Sequence, residues 1–338
     1  MMQVKRRVYF MVLCIAVLLL HTGCTKETVG ASEQSAPGYP ITISNYDSEG
    51  REVHYTYHRP PQKVLSTYPG ATELLLTLGL DENIMATVAP YGAPPAELAE
   101  RYDTLSILKA AFIPSQEEIF AMQPDFIIGW AHNFSAGEMG EVHNWQERRI
   151  GTYIVPGTLK QTQPTIENSV YPFIEDIGKI FGIEKRAQDY IAACRSQVAS
   201  IQQEIGTVEE RKKVIILQEH GKSTYSLYGN RYIIDDIVQK AGGANLVKEQ
   251  TSFVGPERVL GFDPDYVIYV SSSLEPRKNL SDAEVKEKLQ SNPDFQSMKA
   301  VGEGRIINVP FNDVNNCNGR VIDAMKKIAQ GLYPDKNL

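Results

Sequence analysis

The apolar positions of this chain follow one period up to residue 157 and return to it after residue 210. In "PITISNYDSEGREVHYTYHRPPQKVLSTYPGATELLLTLG" (residues 40–79), apolar and polar residues alternate up to a turn at Asp47 to Gly50, alternate again, and stop at Pro60-Pro61. This predicts a hairpin leading into a buried strand at Lys63 to Thr67. A loop around Pro69-Gly70 and a short helix ending at Gly79 are expected next. "NIMATVA" (83–89), a helix after Ser115, "DFIIGW" (125–130) and "TYIVPG" (152–157) then continue an alternation of strands and helices. Continuous apolar strands between helices imply a mostly parallel sheet covered on both faces.

Residues 165–206 carry no strand signal. Ile174, Ile177, Ile180 and Phe181 fall on one helical face, and Ala187, Ile191, Cys194 and Val198 on another. Gly182 separates the two helices, and the second, of about 20 residues, reaches roughly 30 Å, enough to join two bodies. "KKVIILQEHG" (212–221) restarts the alternation. It runs on through a helix in "NRYIIDDIVQKAGGANLV" ended by Gly242-Gly243, a helix near Val285, a strand "RIINVP" (305–310) and a last helix after Arg320.

The second half also repeats a sentence of the first. "EEIFAMQPDFIIGW", from Glu117, returns 140 residues later as "ERVLGFDPDYVIYV", from Glu257, with identity at Glu117/Glu257, Pro124/Pro264, Asp125/Asp265 and Ile128/Ile268. Each copy reads as a helix, a Pro-Asp turn and a strand. Ser115 with Glu118 forms a capping-box signature, and Gly255-Pro256 supplies an N-cap and a first helical residue. Both arrangements place the leading glutamate at the second helical position, where a carboxylate favours the helix dipole by about 0.3–1 kcal/mol. The repeat predicts two similar α/β lobes, at 41–165 and 211–338, with connecting helices at 166–210 between them.

The first residues follow other rules. Lys5, Arg6 and Arg7 precede an uncharged apolar run from Val8 to Leu20 that ends in Thr22-Gly23-Cys24. The run is too short to span a bilayer, so residues 1–23 read as a signal peptide. The small residues before Cys24 resemble a bacterial lipoprotein cleavage box, with His21 where that box usually has Leu. Cys24 is then expected to carry lipid and hold the protein on the outer face of a membrane. Residues 24–40, polar and proline-bounded, read as a flexible tether. Removing the three leading cations takes the net charge from −7 to −10, which argues against nucleic acid or an anionic surface as partner. Only Cys194 and Cys317 remain in the body, and nothing local supports a pairing.

With these pieces assembled, the stretch from Ile41 to the end resembles the class III solute-binding lipoproteins of bacterial ABC importers. The resemblance rests on "KVLSTYPGATELLLTLG", "IPSQEEIFAMQPDFIIGW", "YGNRYIIDDIVQKAGGANLV", "GPERVLGFDPDYVIYV" and "GRVIDAMKKIAQGLYP" taken as a set. That family receives ferric siderophores, haem and cobalamin. The resemblance implies two Rossmann-like lobes with mostly parallel sheets joined by a long, rigid backbone helix, and a ligand held between them. It also implies one glutamate on each lobe docking onto arginines of a permease dimer that works with ATPase subunits. By motif position these are Glu117 and Glu257. A monomer without an intrinsic cofactor is expected.

Ligands of open α/β sheets sit at the carboxyl ends of strands. Two such ends carry distinctive chemistry. "DFIIGWAHNF" runs into Trp130, His132 and Phe134, and "VIILQEHGKSTYSLYGNR" into His220, Tyr225, Tyr228 and Arg231. Aromatics would supply stacking area and Arg231 could neutralise an anionic chelate. The competing reading packs each aromatic in its own lobe and uses each histidine to cap a strand end. Tyr91, Phe112, Phe253 and Arg320 are further candidates by loop position. A ferric siderophore is the expected ligand, with cobalamin and haem as alternatives, the latter through an axial His132 or His220. A bare-metal receptor would need three or four converging His and carboxylate ligands, which the scattered histidines do not offer. No G-x-S-x-G, P-loop, H-E-x-x-H, C-x-x-C or G-x-G-x-x-G motif suggests an enzyme.

Overall fold

A computed structural model describes residues 35–338 apart from 110–112, 161–162, 250, 274 and 276. The signal segment, Cys24 and Phe112 lie outside the described residues. The leading hairpin forms as β1 (Ile41–Tyr46) and β2 (Glu52–Tyr57), with Ile41 opposite Tyr57 and Tyr46 opposite Glu52. Residues expected to be tether already join the body: Ala36 N–H donates to the His58 carbonyl at 2.9 Å, and the Tyr39 hydroxyl to the Ile180 carbonyl at 2.8 Å.

The first lobe contains β3 (Val64–Ser66), α1 (Pro69–Thr77), β4 (Ile84–Thr87), α2 (Gln116–Met122), β5 (Phe126–Gly129) and β6 (Gly151–Ile154). Its sheet runs β4-β3-β5-β6, all parallel. β6 would be an open edge, and Asn45 of the hairpin covers it. Its side-chain amide donates to the Ile154 carbonyl at 3.0 Å and accepts the Ile154 N–H at 2.7 Å, imitating one rung of a ladder. The predicted loop at Pro69-Gly70 is instead the first turn of α1. Proline suits that position because its missing N–H has no helical partner anyway. Gly70 is required because a Cβ there would lie 2.1 Å from the Asn316 carbonyl oxygen of the other lobe.

Two helices, α3 (Tyr171–Ile180) and α4 (Glu184–Ile205), make the connection. A Cβ on Gly178 would come within 2.5 Å of the Ala187 Cβ, so the missing side chain lets the pair close. The buried face of α4 is Ala187, Ile191, Cys194, Val198, Ile201 and Ile205, the alternating three- and four-residue spacing of a helical stripe. At 1.5 Å per residue its 22 residues span about 33 Å.

The second lobe follows with β7 (Lys212–Gly221), β8 (Thr224–Leu227), α5 (Ile233–Lys240), β9 (Gly243–Asn245), β10 (Thr251–Val254), α6 (Pro256–Leu260), β11 (Tyr266–Ser271), α7 (Asp282–Ser291), β12 (Ile306–Pro310), α8 (Phe311–Asn315) and α9 (Arg320–Leu332). Its sheet runs β10-β8-β7-β11-β12, with β9 beside β7. β7, β9, β11 and β12 are parallel, whereas β8 turns back antiparallel onto β7.

The Pro-Asp part of the repeat has a structural reason. Asp125 accepts the backbone N–H of Gln62 at 2.9 Å and of Lys63 at 2.8 Å, and Asp265 accepts that of Lys213 at 2.7 Å. Each aspartate thus fastens the start of the neighbouring central strand, at Lys63-Val64 in one lobe and Lys213-Val214 in the other. One apolar core runs continuously from α1 and β3 through α3 and α4 to α5 and α9, and a separate smaller cluster covers the other face of each sheet. Cys194 and Cys317 are buried and unpaired.

Candidate functional site

The carboxyl ends of the strands of both lobes converge on a cleft of about 760 Å³. Thr67 follows β3, Tyr91 lies beyond β4, and Trp130 and His132 follow β5. Facing them, Gln218 comes from β7, Ser272 follows β11, and Phe311 and Asn315 belong to α8 after β12. Strand order therefore builds the site, as it does in open parallel sheets generally.

The walls are aromatic. Tyr91 meets Phe311 edge-on across the lobes with centroids 5.2 Å apart, and Trp130 meets Tyr68 at 5.6 Å and His132 at 5.5 Å. Burial raises the Tyr91 hydroxyl well above its ordinary pKa, so it stays protonated. Burial also lowers the His132 pKa, opposed by Glu138 and assisted by Lys160, so a neutral imidazole faces the cleft. The indole N–H of Trp130 and the side-chain amide of Asn315 are buried without a well-formed hydrogen bond, although the indole lies beside the Tyr91 hydroxyl. Among the described lining residues Arg277 is the one guanidinium and Glu275 the one carboxylate.

Beneath the cleft the lobes are latched by a buried polar cluster. Glu73, 2 % exposed in the middle of α1, accepts from Arg320 Nη1 at 2.7 Å, Asn316 Nδ2 at 2.9 Å and Asn318 Nδ2 at 3.3 Å. Arg320 also donates to the Ala93 carbonyl at 3.0 Å and pairs with Asp313 at 2.6 Å. The Tyr68 hydroxyl donates to the Asn315 carbonyl. Burial raises the Glu73 pKa, while Arg320 and the two asparagine amides pull it down.

Trp130, His132 and Tyr91 line the cleft, and several other expected residues lie elsewhere. Phe134 is fully buried among Met139, Trp145 and Ile127, because the short turn Ala131–Phe134 folds back under β5 and carries the ring into the lobe core. Tyr225 is also fully buried. Its ring packs on Phe295 at 4.9 Å, and its hydroxyl donates to Asp294 at 2.7 Å. Tyr228 sits one layer behind the wall, donating to Gln218 Oε1. Arg231 donates to the Lys160 carbonyl at 2.6 Å and so clasps the other lobe, and Arg320 belongs to the latch.

His220 lies exposed on the outer part of the β7–β8 hairpin, 2.7 Å from the Ser226 hydroxyl, with its ring 5.0 Å from Phe253, which is 73 % exposed. Sequence reading missed Glu73, Phe311, Asn315 and Arg277. The first had a visible signal, a lone carboxylate inside "ATELLL". The run "FNDVNNCNGR" after a strand was the signal for Phe311 and Asn315. Among the described residues no three His, Cys, Asp or Glu side chains converge as metal ligands.

Glu117 and Glu257 lie outside the cleft, exposed at the second position of α2 and α6. The predicted capping box is present, with Ser115 Oγ accepting the Glu118 N–H at 3.2 Å and Glu118 Oε2 accepting the Ser115 N–H at 2.8 Å. Gly255 and Pro256 open α6 as expected. Three residues after each glutamate stands an exposed large apolar side chain, Phe120 at 46 % and Leu260 at 39 %.

Two α/β lobes joined through a helical connection that includes the long α4, with a cleft at their strand ends, define a class III binding-protein fold. The chain belongs to the periplasmic binding protein family, whose model matches residues 64–312. It is 23% identical over 340 residues, 98% of each chain, to the uncharacterised ABC transporter substrate-binding lipoprotein YvrC of Bacillus subtilis. It is also 23% identical over 313 residues, 90% of each chain, to the petrobactin-binding protein YclQ of the same organism. The crystal structure of a periplasmic binding protein from Veillonella parvula shares the fold, with a TM-score of 0.74 and 24% identity over 88% of this chain and 92% of that one.

Proposed function

We propose that this protein is the substrate-binding lipoprotein of an ABC importer, anchored outside the cell through Cys24, and that it captures a ferric siderophore complex between its lobes. The observation that carries this reading is the interlobe cleft, walled by Tyr91, Trp130 and Phe311 and large enough, at about 760 Å³, for a drug-sized or larger ligand. Flat aromatic walls suit the aryl or chelate faces of such a complex. The relative YclQ is a petrobactin-binding protein, which supports an iron-chelate ligand here. A corrinoid is the second reading, favoured by the aromatic side chains of Tyr91, Trp130 and Phe311 beside only two oppositely charged lining residues, Glu275 and Arg277, among those described. No step in this account requires catalysis.

Delivery to the permease is assigned to Glu117 and Glu257. Neither makes a hydrogen bond or ion pair among the described residues, and each is followed by an exposed apolar residue at the same repeat position. A two-fold permease dimer is a partner that such a duplicated pattern fits. Titrating the lipid-free mature protein with ferric siderophores, haemin and cyanocobalamin tests the ligand assignment. Trp130 fluorescence should be quenched by one of them, with the buried Trp145 as background. Quenching by a free metal ion or a sugar instead would overturn it.

A further inference from the structure

In the loop between β11 and α7, Ser272, Ser273, Glu275 and Arg277 line the cleft, and Arg277 is the one guanidinium among the described lining residues. Asn279 Oδ1 accepts the Ala93 N–H of the first lobe at 3.1 Å, which pins the loop there. Two residues earlier, Arg277 holds φ +58°, a left-handed conformation rare for a residue with a long side chain. Its guanidinium lies 5.9 Å from the Tyr102 ring centre and pairs with Asp103, also of the first lobe. Both partners remain solvated, with side chains 39 % and 61 % exposed, so the pair is cheap to open.

The geometry points to Arg277 as the charge-reading residue of the cleft, with Asp103 as the counterion that holds it until an anionic ligand takes its place. This rests on the reading of the cleft as the ligand site. An anionic chelate entering between Trp130 and Phe311 would offer oxygen acceptors to a guanidinium already in the cleft lining. Charge-assisted hydrogen bonds in a partly desolvated cleft are stronger than an exposed surface pair. Arg277 would therefore leave Asp103 for the ligand, with the loop backbone still pinned at Asn279. The chemical class that follows is an iron chelate with net negative charge, recognised at one edge by a single fork of donors.

The test is a fluorescence titration of the mature protein and two variants. Ferric enterobactin, ferric citrate and haemin serve as anionic probes, and ferrichrome and cyanocobalamin as uncharged ones. Arg277→Gln should weaken the anionic probe that binds by roughly 10- to 100-fold. Asp103→Asn, which removes the competing carboxylate, should tighten it by roughly 2- to 5-fold. Neither change should move an uncharged probe by more than about twofold. Binding of uncharged probes alone, or equal weakening of both classes by Arg277→Gln, overturns the assignment while leaving the cleft as the ligand site. Failure of every probe to perturb Trp130 overturns the cleft reading as well.

Discussion

Glu73 and the pair Glu117/Glu257 are all helical carboxylates, the first in the middle of α1 and the other two at the second position of α2 and α6, yet they occupy opposite environments. Glu73 is buried under the cleft and accepts from three side chains of the other lobe. Glu117 and Glu257 stand on the outer face with no partner among the described residues. A buried carboxylate must be satisfied internally or the fold suffers. An exposed one costs nothing to leave free, and at the second helical position the dipole favours it by about 0.3–1 kcal/mol in either lobe, so the proposed docking role has to be separated from that local one by experiment. The contrast separates charge that holds the lobes together from charge that stays available to a partner.

Breaking the inner site should have the largest effect. Glu73→Ala takes from Arg320 one of its two carboxylates and from Asn316 and Asn318 their shared acceptor, all in a buried cluster, and should cost about 3–5 kcal/mol of stability in urea denaturation. Replacing the pair with apolar residues, Glu73→Leu with Arg320→Met, should restore part of it. A loss below about 1 kcal/mol for the single change would remove the latch from this account. The outer site should respond in the opposite way. Glu117→Gln with Glu257→Gln should leave melting and ligand affinity almost unchanged while import by an anchored protein fails, since truncating a charge pair at an interface can cost about 2–5 kcal/mol. Wild-type import by that variant would end the docking role.

Smaller effects sharpen the same contrast. Phe120→Ser with Leu260→Ser should reduce import more than it reduces stability, because both side chains are only partly covered. Equal loss in both measurements would return them to the lobe cores. Because one core and one latch span both lobes, scattering with and without ligand should show little change in radius of gyration. A large compaction would mean that the latch opens.

The smallest expected effect is that of His132. Its folded pKa is lowered from 6.5 chiefly by burial, so the unfolded chain takes up the proton first as pH falls. The stability it contributes is complete above about pH 6.5 and declines as pH drops toward the lowered folded value. Because the ring is partly exposed, this pH dependence should be slight, and it should vanish in His132→Asn.

The periodicity of apolar residues revealed most of the strands and helices, though not β8, β9 and β10, because burial on one face or both leaves a local trace at a period of 2 or 3.6. The repeat likewise revealed two lobes, and the Ser115 capping box could be read directly, since all its atoms lie within four residues. Which aromatics reach the cleft was decided only in three dimensions. Trp130 and Phe134 are four residues apart on one loop, yet a single turn leaves one on the wall and buries the other. Tyr225 looked like a loop residue until β8 folded back onto β7 and carried it inward. Phe311, Asn315 and Arg277 became site residues because β11 and β12 end opposite β3 and β5, a register between lobes that no local pattern encodes. Glu73 shows the same limit. Its carboxylate is tolerable inside an apolar helix only because residues 316–320, more than 240 positions away in the chain, bring the donors that satisfy it.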